Sequence, residues 1–172
     1  ITDSIHYAQR IQNVLLTSHS YIKENLDQFF ILNKPKDIVS GDFYWAIRHK
    51  NHFYFMVADC TGHGVPGAFM SLIGTNFLKQ SSKDISINSP AEALDFLNKN
   101  VSYTLNQNAN DGPVRDGMDI VLIALDTESG ELQFAGANNP IYLVRNKELT
   151  ILKADKQPIG SYSEDTKPFT NN

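Results

Sequence analysis

The chain has little cysteine, no excess of positive charge and no long apolar run. Its single cysteine, Cys60, excludes a disulfide within the chain and weakly favours a reducing, cytoplasmic location. The formal net charge of −4 argues against a nucleic-acid-binding surface. No apolar run reaches the roughly 18 residues that a membrane span requires, so we expect no membrane contact from this part of the protein.

The composition is that of a folded domain. Hydrophobic residues make up 41% of the 172 residues and charged residues 20%, which is typical of a soluble globular protein. A chain of this length forms one domain that buries roughly 68–70% of the surface its unfolded form exposes. The chain begins at Ile1 and shows no signal peptide, and we expect it to be part of a longer protein.

Residues 1–17 have the apolar spacing of a helix, with Ile1, Ile5, Ala8, Ile11 and Leu15 on one face. Two interpretations stay open. The helix either docks on its own domain, or ends a linker or coiled coil that carries a signal from an upstream sensor domain and joins two copies of the chain. We therefore divide the chain into a linker or regulatory helix, residues 1–17, and a main domain, residues 18–172.

Two aspartates flank a predicted β-hairpin. Residues 43–49 and 52–58 are rich in aromatic and branched side chains, with a turn between them, so Asp42 enters the hairpin and Asp59 leaves it. Antiparallel pairing places both carboxylates at the same end of the sheet. Like charges so close raise a pKa unless a cation lies between them, and oxygen ligands favour Mg²⁺ or Mn²⁺. Alternatively, Asp42 is a turn residue and Asp59 a helix N-cap.

Three glycines follow Asp59, at Gly62, Gly64 and Gly67, and precede a helix predicted over roughly 68–79. Glycine increases the entropy lost on folding, so we expect either a tight turn or a close approach of the backbone to a ligand.

Other catalytic interpretations of this stretch are weaker. A thiol nucleophile at Cys60 would need an arginine six residues later to hold phosphate, and that position is Pro66. His63 lacks a zinc-binding partner at helical spacing. It stays open as a general acid or as a residue that shapes the glycine turn.

The remaining segments are predicted to be scaffold. In the helix after Gly67, we expect Phe69, Leu72, Ile73 and Phe77 in the core. We expect strands over 28–33, 118–125 (buried on both faces), 131–135, 141–144 and 149–152, and a helix from Pro90 to about Leu105 with Ser89 as N-cap.

Two segments have more than one interpretation. The polar segment 106–115 is a loop, and a flap on the substrate side is one interpretation of it. Asp119 is either a turn residue at a strand end or part of a second shell around the metal. Residues 138–140 form a turn first and polar site residues second.

Five blocks carry a family resemblance, at 39–45, 57–71, 116–119, 134–140 and 157–160. Their sequences include Ser-Gly-Asp-Phe-Tyr-Trp, Ala-Asp-Cys-Thr-Gly-His-Gly and Asp-Gly-Met-Asp. In order and spacing they resemble the metal-dependent protein phosphatases (PPM family), and within it the bacterial SpoIIE-like phosphatase domain. The match runs from about residue 28 to residue 160.

The resemblance implies an α+β fold, an αββα sandwich of two antiparallel sheets flanked by helices. It also implies two Mn²⁺ or Mg²⁺ ions and hydrolysis of phosphoserine or phosphothreonine on a protein by a metal-activated water, without a covalent phosphoenzyme. The family's metal-binding aspartates fall on Asp42 and Asp59. The next residue, which gives its backbone carbonyl to a metal in the family, is Cys60. The implied substrate is a phosphoprotein such as an anti-sigma-factor antagonist.

One block of the family is missing. A Thr-Asp-Gly block, whose aspartate completes the family's metal site, does not occur in the chain, and Asp165-Thr166 lacks the following glycine. We therefore expect the last strands of the sandwich to lie outside residues 1–172, and this fragment to be inactive without them. A catalytically inactive phosphatase-fold module that binds a partner or dimerises to relay a signal is the alternative function.

Overall fold

A four-stranded antiparallel sheet forms the centre of the structure, a computed structural model that describes residues 2–84, 87–106, 116–160 and 166–172. Its strand order is β1-β2-β3-β4, and a separate two-stranded sheet pairs β5 with β6. The strands are β1 (Phe43–His49), β2 (His52–Cys60), β3 (Met118–Asp126), β4 (Leu132–Ala137), β5 (Ile141–Arg145) and β6 (Glu148–Leu152). The helices are α1 (Thr2–Leu15), α2 (His19–Lys23), α3 (Gly64–Ser81) and α4 (Pro90–Asn106). The expected α+β class with two antiparallel sheets is confirmed.

One face of the four-stranded sheet carries the main core, where it meets α3 and α4. Alternate strand residues such as Trp45, Met56 and Leu122 pack there against α4 residues such as Leu97 and Val101. Complete burial of side chains of this size contributes about 1.5–3 kcal/mol each. The helical spacing of the sequence predicts an apolar stripe on α4 of Ala93, Leu94, Leu97, Val101 and Leu105. The first four are buried and Leu105 is partly buried, so the stripe is confirmed. Among the described residues, no helix is long and apolar enough to cross a membrane.

Helix α3 differs from its prediction in its start and in its buried face. It begins at Gly64, four residues before the expected start, with His63 as N-cap. Phe69 is 62% exposed, so its assignment to the core was wrong, and the buried face carries small residues, including Gly74. A Cβ on Gly74 would lie 2.9 Å from Cζ of Phe43. The helix lies close to the sheet at Gly74, and its bulky buried residues are Met70 and Leu78. Of the expected core residues, Ile73 and Phe77 are partly buried against the core.

Helix α1 ends at Leu15, two residues before the predicted end, and the predicted apolar face is confirmed only in part, since Ile5 and Leu15 are half-buried. Ile11 is 46% exposed and Ala8 is also exposed, whereas Gln12 is the buried residue of this helix. Helical periodicity identifies an apolar stripe, but the helix docks through a polar residue whose partners lie far away in the sequence.

Residues 28–33 do not form the predicted strand. Phe29 and Ile31 pack against the small cluster of Ile22, Ala46 and Phe53, while the alternate residue Phe30 is 90% exposed. The period-two pattern therefore holds, but within the described residues the segment has no ladder of hydrogen bonds to another strand. An extended segment becomes a strand only when a partner pairs with it.

Strand β3 alternates between buried and half-buried residues, so the expectation of burial on both faces was wrong. The turn between β5 and β6 is at the predicted place, and both Asn146 and Lys147 have positive φ, 54° and 67°. Most of the predicted loop 106–115, with its flap, lies outside the described residues.

Candidate functional site

Asp42 and Asp59 meet at the end of the β1–β2 hairpin. The register pairs Phe43 with Ala58, so the two aspartates occupy the next position on the same sheet face. Burial raises the pKa of Asp59, and the charge of Asp42 and a side-chain hydrogen bond to Asp42 raise it further. The hairpin therefore brings the two carboxyl groups into contact, in an arrangement that favours either a shared proton or a bound cation.

A third aspartate, Asp119, lies beside Asp59 on the next strand, so that Asp42, Asp59 and Asp119 form a row across the sheet. Asp119 is the cross-strand partner of Asp59 in β3, so it lies within the strand and not in a turn at its end. Its Oδ1 accepts a hydrogen bond of 2.8 Å from Nδ2 of Asn138. Asn138 has a φ of 60°, so it forms the predicted turn and also holds Asp119. The sequence missed this row because the pairing of β2 with β3 joins residues far apart in the chain.

The donor set fits a hard divalent cation. Across the described ranges, no group of three or more His, Cys, Asp or Glu side chains is placed to hold a metal ion. Two carboxylates are nonetheless enough for Mg²⁺, which commonly keeps several waters and takes one or two protein carboxylates. The contact between Asp42 and Asp59 supplies that pair without competing nitrogen or sulfur ligands.

The side chain of Cys60 belongs to the core and not to the site. Strand alternation turns it away from the face that carries Asp59, into the cluster packed under α3 and α4. Burial raises the pKa of the thiol far above its ordinary range, and the charges of Asp59 and Asp42 act in the same direction. The thiol therefore stays protonated at neutral pH and does not serve as a nucleophile. Its backbone carbonyl oxygen lies beside Gly41, next to Asp42.

The glycines bring three stretches of backbone together around the two aspartates. Gly62 and Gly64 have φ values of 84° and 63°, which confirms a tight turn after β2. A Cβ on Gly67 would lie 2.6 Å from the carbonyl oxygen of Gly62 and 2.8 Å from Cα of Gly41. The close approach at Gly67 is therefore to protein backbone, and it fixes the turn before Asp42 against the start of α3.

His63 contacts Asp37, a residue that the sequence did not single out. Its Nδ1 lies 2.8 Å from Oδ2 of Asp37, and the two side chains are 68% and 43% exposed. An ion pair at such exposure contributes little to stability, typically below about 1 kcal/mol. The contact joins the segment before Ser40 to the N-terminus of α3, which supports a role of His63 in shaping the turn.

A cavity of about 280 Å³ opens beside the aspartates. Its lining includes the polar residues Asp42, Asp59, Asn139 and Lys34, together with apolar residues such as Phe55. A neighbouring cavity of about 430 Å³ continues over the apolar part of the same sheet face. The site is thus open to a ligand much larger than a metal ion.

Comparisons with known proteins give the family. Residues 49–171 match the family model of Stage II sporulation protein E (SpoIIE). The SiaA-PP2C domain of Pseudomonas aeruginosa is 27% identical with a TM-score of 0.79, over 99% of this chain and 65% of that one. This chain therefore spans less than two thirds of that domain. No curated protein matches the chain.

Two further solved structures are similar at lower identity and support the fold alone. One is the PP2C phosphatase domain, with a fragment of the regulatory domain, of SpoIIE from Bacillus subtilis. It is 19% identical with a TM-score of 0.56, over 78% of this chain and 37% of that one. The other is the S. agalactiae serine/threonine phosphatase. It is 15% identical with a TM-score of 0.57, over 83% of this chain and 71% of that one. Because the SpoIIE family model covers most of the chain and the fold agrees with it, the chain belongs to the SpoIIE family of PP2C-type phosphatase domains.

Proposed function

We propose that the chain is a metal-dependent protein serine/threonine phosphatase domain of a bacterial signalling protein. The observation that carries the proposal is the register of the β1–β2 hairpin, which places the carboxyl groups of Asp42 and Asp59 side by side in the lining of an open cavity. In this proposal residues 18–172 belong to the phosphatase domain and residues 1–17 are its regulatory helix.

Two Mn²⁺ or Mg²⁺ ions are the proposed cofactors. The side chains of Asp42 and Asp59 and the backbone carbonyl of Cys60 would hold them. When bound, such ions lower the pKa of water and stabilise negative charge on a phosphoryl group. In the absence of cations, partial burial and the charge of Asp42 raise the pKa of Asp59.

The rest of the site positions these groups and admits the substrate. Asn138 orients the carboxyl of Asp119, the next acidic group along the row. The apolar wall of the cavity near Phe55 offers a surface to the peptide around a phosphorylated residue. Because the Cys60 thiol is buried and protonated, direct attack by water suits this site better than a covalent phosphoenzyme.

The proposed partners follow from the family. The substrate is a phosphoprotein, and an anti-sigma-factor antagonist is the candidate that the resemblance implies. A sensor domain upstream in the same chain is a further proposed partner, and the Bacillus structure includes part of a regulatory domain. Exposed apolar residues on α1, among them Tyr7 and Val14, support a homodimer through this helix. A cytoplasmic location remains a proposal, based on the single cysteine.

The test is hydrolysis of a phosphoserine peptide by the full-length gene product with and without Mn²⁺. Asp59→Asn is expected to reduce Mn²⁺-dependent hydrolysis to background while the circular dichroism spectrum is retained. Asp126→Asn, at the opposite end of the same sheet, is the matched control and should keep its activity. Full activity of Asp59→Asn would refute the assignment.

The alternative is a phosphatase-fold module without catalysis that relays a signal by binding or dimerising. The limited number of acidic side chains that converge within the described residues favours it. Calorimetric titration of the full-length gene product with Mn²⁺ separates the two functions, because such a module would show no metal binding.

A further inference from the structure

Gln12 is the buried residue of an otherwise largely exposed helix. Its side chain is 7% exposed, while the apolar residues Tyr7, Ile11 and Val14 of the same helix face outward. Burial of an amide is unfavourable unless hydrogen bonds replace those it made to water. The contacts of Gln12 therefore determine how α1 attaches to the rest of the domain.

Three hydrogen bonds satisfy the Gln12 amide. Nε2 donates to the carbonyl oxygen of Ser40 at 2.6 Å and to Oγ of Ser71 at 2.9 Å. Oε1 accepts from the backbone N–H of Ser40 at 3.0 Å. The Ser71 hydroxyl donates to the carbonyl of Ala68, which leaves its oxygen free to accept from Gln12. A reversed amide would place its NH₂ group against the N–H of Ser40, so these partners fix the amide in one orientation.

The segment that Gln12 holds leads directly to the proposed metal ligand. Ser40 is followed by Gly41 and Asp42. Val39 is buried, and a Cβ on Gly41 would lie 2.8 Å from the carbonyl oxygen of Gly62. The turn thus has no room to shift unless its contacts with the Gly62 loop and α3 open. Gln12 reaches both sides of this contact, since Ser40 lies in the turn and Ser71 in α3.

We propose that Gln12 is a positioning residue that holds the turn of residues 39–42 against α3 and so fixes the Asp42 carboxyl beside Asp59. Helix α1 then belongs to the support of the site, and a displacement of α1 that breaks the Gln12 bonds releases Asp42. The part of this inference that concerns metal binding rests on the proposed function; the part that concerns the turn does not.

Gln12→Met tests the inference, because methionine keeps the length and volume of glutamine but none of its hydrogen bonds. Asn13→Met places the same side chain at an exposed neighbouring position and serves as the matched control. Two properties are measured in each variant of the full-length gene product: amide hydrogen exchange of residues 39–43 without metal, and the Kd for Mn²⁺ by calorimetry. Val101→Ala, a change in the α4 core, controls for a general loss of stability.

We expect Gln12→Met to accelerate exchange at residues 39–43 and to weaken Mn²⁺ binding by roughly tenfold or more, since each lost hydrogen bond accounts for about a fivefold effect. Ser71→Ala should cause a smaller loss, because the bonds between Gln12 and Ser40 remain. Asn13→Met should match the wild type in both measurements. Val101→Ala should lower Tm and keep the wild-type Kd.

Wild-type exchange at residues 39–43 in Gln12→Met would overturn the inference, and so would an equal loss of Mn²⁺ affinity in Val101→Ala. If the wild-type protein binds no Mn²⁺, the proposed function fails, and the exchange measurement alone decides whether Gln12 holds the turn.

Discussion

At the scale of single residues, the site concentrates groups that reduce stability in the absence of a ligand. Asp59 is placed against a second carboxyl group, and its pKa is raised. The meeting of Asp42 and Asp59 was predictable because one short hairpin determines it. The place of Asp119 in the same row was not, because it depends on pairing between strands separated by a helix pair. Nor does the sequence reveal that Asn138 reaches Asp119.

The raised pKa of Asp59 predicts a pH-dependent effect of its removal. A carboxyl whose pKa is higher in the folded than in the unfolded state favours folding while protonated, and this stability is lost as the pH rises through the folded-state pKa. At neutral pH without metal, Asp59→Asn should therefore raise Tm by about 1–3 °C, a small shift because the group is mostly exposed. The difference should shrink as the pH falls toward the ordinary Asp pKa of 3.8. Scanning calorimetry over this pH range measures both.

Removal of the Asp126 carboxylate should change Tm in the opposite direction, so Asp126 serves as the control. Backbone N–H groups of Ser129 and Glu128 donate to its carboxylate and lower its pKa. Its charged form therefore stabilises the fold above the unfolded-state pKa, and Asp126→Asn should lower Tm at neutral pH. If Asp59→Asn lowers Tm as well, the account of Asp59 is contradicted.

At the scale of elements, the buried face of a helix was predicted correctly where the helix has one apolar side. It was predicted wrongly where the element packed against the helix determines which side is buried. Helix α4 has a single apolar stripe and a serine whose hydroxyl accepts from the N–H of Glu92, so both its start and its burial could be predicted. Helix α3 is apolar on nearly all sides, so its sequence pattern does not identify the face that packs on the sheet. In α1, the buried face follows from the bonds of Gln12, which lie outside any local pattern.

The backbone contact at Gly67 predicts that a methyl group there disturbs both the fold and the site. The added Cβ of Gly67→Ala would meet the backbone of Gly62 and Gly41, neither of which is a flexible side chain. We expect a loss of about 1–3 kcal/mol in the free energy of unfolding, measured in urea, because the neighbouring backbone must move. We also expect weaker Mn²⁺ binding, since the turn before Asp42 moves with it.

Gly130→Ala is the comparison for this variant. Gly130 has a φ of 76°, and among the described residues no atom lies within 4 Å of the position that an alanine Cβ would take. Alanine there therefore costs about 1–2 kcal/mol of backbone strain alone. It should reduce stability without changing the Kd for Mn²⁺. Equal losses of Mn²⁺ affinity in the two variants would show that the Gly67 contact has no special role.

At the scale of the whole molecule, the family and the fold class were predictable because five motifs occur in the right order, each short enough to read locally. The strand expected over residues 28–33 was not formed, because its alternating pattern determines which side chains face the sheet but not whether another strand pairs with it. The apolar sheet face beside Phe53 and Phe55 was predictable only to the same degree. The sequence shows that these residues are apolar, but only the assembled sheet shows that they border the site.

The exposed apolar face of α1 predicts self-association. Tyr7 and Val14 are 65% and 82% exposed and lie two helical turns apart, while Gln12 faces the domain. Light scattering should show a dimer for the wild-type chain and a monomer for the Tyr7→Ser, Val14→Ser double variant, with the same circular dichroism spectrum. A monomeric wild type at concentrations well above the micromolar range would contradict this use of α1.

The central claim is that Asp42 and Asp59 together hold a divalent cation, and calorimetric titration of Mn²⁺ into the metal-free full-length gene product tests it most directly. Even the loss of an outer-shell partner costs about 10–100-fold in metal affinity, so Asp42→Asn and Asp59→Asn should each cost at least that much. Asp126→Asn should bind Mn²⁺ as the wild type does. Unchanged Mn²⁺ affinity in either the Asp42 or the Asp59 variant would contradict the account.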